Sequence, residues 1–82
     1  MECVTAAVTR AVEALAAEDY GFAIDLYSVA ISLDSLQPTY FFNRSIANAG
    51  KSLWKESLQD AEEACLLRRL FSFLVINRLP RI

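Results

Sequence analysis

The chain contains no histidine. The common zinc arrangements, which combine imidazole with thiolate, are excluded, and no metal or cofactor is expected. Cysteine is nearly as scarce. Cys3 and Cys65 form neither a metal-ligand nor a redox spacing, and both lie among apolar residues, so reduced, buried thiols are expected. Glycine and proline occur twice each, which suits helices joined by short turns. No glycine-rich phosphate loop, nucleophile elbow or HExxH is present. Glu62 and Glu63 are helix neighbours that point apart and cannot share one substrate. An enzyme is not expected.

Long apolar runs are also missing. LFSFLVI, residues 70–76, is too short to span a bilayer, so a membrane partner is not expected. MECVTAAVTR carries an acid near its start and no long apolar segment, unlike a signal peptide. A cytoplasmic location follows, with the nucleus as the alternative. Charge is uneven. Met1 to Gln37 holds one basic residue, Arg10, against six acids; from Ala64 onward there are four arginines and no acid. No aromatic-interleaved basic motif accompanies those arginines, so no nucleic-acid partner is expected. The charges read as solvated helix faces.

What is present is apolar content, 55% in 82 residues, and that content is periodic. Val4, Ala7, Val8, Ala11, Val12, Ala14 and Leu15 give a helical stripe over about Val4 to Ala17. Asp19 can cap a second helix, about Tyr20 to Leu33, with Phe22, Ile24, Leu26, Tyr27, Ala30 and Ile31 turned inward or partly so. Pro38 closes that unit. A third helix covers about Thr39 to Ala49 and ends at Gly50-Lys51-Ser52. A fourth, about Leu53 to Leu67, presents Leu53, Trp54, Leu58, Ala61, Ala64 and Cys65 as its apolar face. Glu56, Gln59, Asp60, Glu62 and Glu63 fall mostly on its wet side. A last piece, roughly Leu70 to Leu79, ends at Pro80.

The halves match each other at a shift of 34 residues. Ala23 falls on Ser57, Ile24 on Leu58, Ala30 on Ala64, Leu33 on Leu67, Tyr20 on Trp54, and Asn43-Arg44 on Asn77-Arg78. Only Tyr27 on Ala61 breaks the size match. A helical period of this length marks a stacked helix-turn-helix array, whose units bury their apolar faces only against neighbours. The fold class is therefore all-α, with about five antiparallel helices in one domain, residues 1–82.

These residues resemble the tetratricopeptide repeat. Repeats run Val4 to Gln37 and Pro38 to Phe71, and residues 72–82 form a partial third repeat or a capping helix. Ala11, Tyr20, Ala23, Tyr27 and Ala30 stand at the family's small and aromatic positions in the first repeat. Ser45, Trp54, Ser57, Ala61 and Ala64 do so in the second. Ser35 and Arg69 replace the closing proline, and Arg10 stands where a large apolar residue is usual. Small residues at these positions let helices cross closely.

The resemblance implies a protein-protein interaction module that takes a peptide or helix in a concave groove. Here the groove-facing residues are Val8, Val12, Phe42, Asn43, Ile46 and Ala49. One subclass clamps the acidic tail of cytosolic heat-shock chaperones through lysine, asparagine and arginine, which suggests a chaperone adaptor. FFNRS and LQDAEEA resemble that subclass, and Asn43 falls on its central asparagine. Val8 and Val12, however, occupy clamp positions, and a carboxylate there meets desolvation with little return. The alternative is an assembly element, or a truncated product of a longer repeat protein, that self-associates through Leu70, Phe71, Phe73, Leu74, Val75 and Ile76.

Overall fold

The computed structural model describes the backbone of residues 2–78 and the side chains of residues 4–75. It contains four helices: α1 (Glu2–Ala16), α2 (Tyr20–Leu33), α3 (Pro38–Gly50) and α4 (Trp54–Arg78). They pack in antiparallel succession, α1 on α2, α2 on α3 and α3 on α4.

The repeat is visible in the backbone of the turns. Glu18 closes the first hairpin at φ 61° and Ser52 closes the second at φ 60°. The two positions are one period apart. In each turn the next amide donates back into the preceding helix, Asp19 to Ala14 at 2.8 Å and Leu53 to Asn48 at 2.8 Å. The Asp19 carboxylate then accepts from the Phe22 amide at 3.4 Å, capping α2. Between the repeats the chain stops differently. Asp34 accepts from the Leu36 amide at 3.3 Å, and Pro38 opens α3 at a position where its missing N–H costs nothing.

The core is made of small residues around one large one. Ala11, Ala23, Tyr27 and Ala47 are fully enclosed, with Ala14 beside them and Leu15, Tyr20, Ile24, Leu26 and Tyr40 packed around. Ala30 is also fully buried. With no bulky chains in between, α1, α2 and α3 close directly around the Tyr27 ring. A second close approach occurs at Gly50, where a Cβ would lie 2.6 Å from the Tyr20 ring. Any side chain there would displace Tyr20 from the core edge.

Several expectations are corrected. There are four helices, not five: the segment expected as a separate piece from Leu70 continues α4 without a break to Arg78, and Leu79 lies outside the described residues. The cause is chemical. Arg68-Arg69-Leu70-Phe71 stands one period after Asp34-Ser35-Leu36-Gln37 but has no capping carboxylate, and Ser72 replaces Pro38. Arginine and leucine are strong helix formers, so the helix runs on. The radius of gyration, 14.2 Å, accordingly exceeds the roughly 12 Å of a compact chain this long.

The inward face of α4 is also different. Ala64 and Leu67 are buried and Ser57 and Ala61 half-buried, but Leu53, Trp54, Leu58 and Cys65 are exposed, Trp54 at 66%. The Cys3 side chain lies outside the described residues. Asp60, expected in water, is buried. On α2, Phe22, expected inward or partly so, is about half exposed. Tyr20 owes its burial to α3. Trp54, its counterpart one period on, has no such helix against it among the described residues.

Replacing Ala30 with leucine inserts three extra carbons at a fully buried crossing. The expected loss is on the order of 1–3 kcal/mol of unfolding free energy, read as a lower urea midpoint with an unchanged slope.

Candidate functional site

The largest polar arrangement lies between α3 and α4. Arg44 grips Asp60 side-on, its Nε donating to Oδ2 at 2.8 Å and its Nη2 to Oδ1 at 2.7 Å. The Asn48 amide donates to the same Oδ2 at 2.9 Å. Arg44 also reaches α2, where Nη1 donates to the Ser28 hydroxyl at 3.0 Å. The guanidinium lies 5.6 Å from the centre of the Phe41 ring, within cation–π range. One turn away, Ser45 and Ser57 exchange bonds. Each hydroxyl donates to the other's carbonyl at 2.9 Å, which brings the two helices close together.

These groups are spent on each other, leaving little for a ligand. The bond to Asp60 and its charge push the Arg44 guanidinium further above its ordinary range, against the opposing effect of burial. No buried side-chain polar atom among the described residues lacks a partner. The network therefore fixes the register of α4 on α3. Sequence reading missed it because Asp60 sits within the charged run QDAEEA, residues 59–64. The available signal was spacing: Ser57, Asp60, Ala64 and Leu67 follow the three-four rhythm of one helix face.

The six residues expected to face a groove are distributed as follows. Val12, Phe42 and Ile46 are exposed at 49%, 56% and 42%. Val8 and Ala49 are half-buried. Asn43 is also half-buried, and its amide donates to the Tyr27 hydroxyl at 3.1 Å. Asn43 thus has a side-chain partner within the fold. Burial raises the Tyr27 phenol above its ordinary value, partly offset by that bond.

A cleft of about 750 Å³ opens between the start of α3 and the middle of α4. Phe42, Ala61, Ala64, Cys65, Arg68 and Arg69 are among its lining residues. Of the six expected groove residues, only Phe42 lines it. Of the expected assembly surface, Leu70, Phe71, Phe73, Leu74 and Val75 are exposed, between 44% and 63%. The Ile76 side chain lies outside the described residues.

No helix among the described residues is long and apolar enough to cross a membrane.

Two predictions follow from the buried polar groups. Asp60→Ala leaves Arg44 and Asn48 without their acceptor and should cost about 2–3 kcal/mol, whereas exposed Glu63→Ala should stay within about 0.5 kcal/mol; chemical denaturation separates them. Tyr27 makes alkaline stability asymmetric. Its folded phenol is raised, so its contribution is complete below the unfolded value of about 10 and is lost as pH rises through the folded one. Tyr27→Phe should therefore flatten the fall in thermal midpoint above about pH 10, while lowering stability at neutral pH through the lost bond to Asn43.

No protein-family model matches the chain, and no solved structure does. The chain is similar to the small glutamine-rich tetratricopeptide repeat-containing protein 2 of Mycosarcoma maydis, at 38% identity over 52 residues. The match takes in 63% of this chain and 15% of that protein. It is thus a partial, distant similarity to a protein that carries tetratricopeptide repeats.

Proposed function

We propose that the chain is a tetratricopeptide-like interaction module that holds an apolar segment of a partner protein against α1 and α3. The observation that carries this reading is the exposure of Val12, Phe42 and Ile46 in a chain whose core is otherwise closed over alanines. Phe42 and Ile46 stand one helical turn apart on α3, as Val8 and Val12 do on α1. Helix-in-groove recognition uses anchors of this kind. Asn43 is the one polar residue among the six expected groove residues, and its amide is already engaged with Tyr27.

The role of chaperone adaptor belongs to the same reading, through the resemblance of FFNRS and LQDAEEA to the subclass that clamps chaperone tails. An acidic C-terminal tail is a poor ligand for it. Carboxylates meet valine where charge is required, and desolvation goes unrewarded. Titration calorimetry with an acidic C-terminal peptide should give no binding tighter than about 0.1 mM, roughly −5.5 kcal/mol. Low-micromolar binding that vanishes in Asn43→Ala would overturn this view of the groove.

The direct test is affinity capture with two variants. Phe42→Ser should release the partner while Leu74→Ser retains it. The reverse pattern favours the second reading, an assembly element acting through the C-terminal part of α4, which the exposed Leu70, Phe71 and Leu74 support.

A further inference from the structure

We infer that two copies of this chain exchange the C-terminal parts of their α4 helices, each supplying to the other the helix that would follow α4 in the repeat. The occupant of the α4 cleft is thus a second copy; Phe42 lines this cleft as well as the proposed groove of α1 and α3.

Three observations converge. The segment after Phe71 repeats the sequence of α3: Tyr40, Asn43 and Arg44 correspond to Leu74, Asn77 and Arg78. In the fold, α3 packs on α2 through Asn43 to Tyr27 and Arg44 to Ser28. Shifted by one period, the surface that received α3 becomes Ala61 and Glu62 on α4. Ala61 lines the cleft, with Cys65 one turn further on. The molecule therefore carries both a docking face and a segment patterned to fill it.

The same chain cannot join the two as it stands, because α4 is continuous through Arg68 to Phe71. The equivalent turn at Asp34 to Gln37 relies on the Asp34 side chain and on Pro38. Neither has a counterpart here. Folding back would break a helix at residues that favour helix. Docking onto a second copy leaves it intact, which is the open arrangement of a domain swap.

The period also fixes the register. Raising both members of the pairs 43–27 and 44–28 by 34 gives 77–61 and 78–62. Two α4 helices then lie antiparallel about a two-fold axis near Arg69. The exposed Glu56, Glu62 and Glu63 of one α4 then lie beside the partner's C-terminal half, whose only charges are basic, while Arg68 and Arg69 of the two copies meet near the axis. Small Ala61 and Ala64 allow close approach.

Cys65 and position 74 should then face each other between copies. Within one straight helix they are about 13 Å apart, too far for a disulfide. The experiment uses the full chain carrying Cys3→Ser and Leu74→Cys, oxidised under mild conditions at micromolar concentration, with sedimentation of the unoxidised Cys3→Ser protein alongside. The expected result is a two-chain mass in both, with the oxidised protein joined by bonds between residues 65 and 74. Closure within a single chain, a one-chain mass, or a dimer that fails to join at these positions overturns the exchange. A second variant transfers the turn: Arg68→Asp, Arg69→Ser, Phe71→Gln and Ser72→Pro. It should sediment as one chain with its helix content retained, and a persistent two-chain mass counts against the exchange.

Discussion

Asp60 is a carboxylate only 6% exposed. In a low-dielectric setting such a group is tolerated only with its hydrogen bonds complete. Arg44 and Asn48 complete them from α3, and Arg44 extends the tie to Ser28 of α2. The placement of α4 depends on this constraint more than on oil-like burial. The enclosed apolar cluster draws its members from α1, α2 and α3 alone, and α4 adds only Ala64 and Leu67 to the buried apolar set. A helix held mainly by polar bonds has little freedom to slide, because each slip leaves a charge without its partner.

The all-helical class, the turns and the crossing alanines were legible in the sequence because they rest on local chemistry. A capping Asp19, a helix-ending Gly50 and small residues at three-four spacing act within a few residues of themselves. The outline of α4 was not. Its expected apolar face followed the size of side chains, yet Leu58 and Trp54 are exposed. The face that is buried includes an aspartate, which hydropathy alone reads as wet. The expected groove residues depend on more than local chemistry. Their helices were correctly outlined, but exposure at Phe42 and Ile46 depends on what stands opposite, and a residue pattern does not contain that.

The missing turn after Leu67 shows how few residues decide between a compact and an extended chain. Two repeats share almost the same framework, down to left-handed residues one period apart. They part where Asp34 is replaced by Arg68 and Pro38 by Ser72. One site has a carboxylate that captures an amide and a proline that forbids helix in front of it. The other has side chains that favour one more turn, and then another. Exposed Leu70, Phe71 and Leu74 are the result, carried away from the body of the molecule.

Trp54 is the chain's one tryptophan, and it stands at the first residue of α4 with two-thirds of its surface in water. Its indole is therefore a built-in optical probe of the face where another repeat unit would stack. Emission characteristic of a hydrated indole reports that this end is open. A shift toward the blue, without any label or substitution, would report that something has come to rest on it.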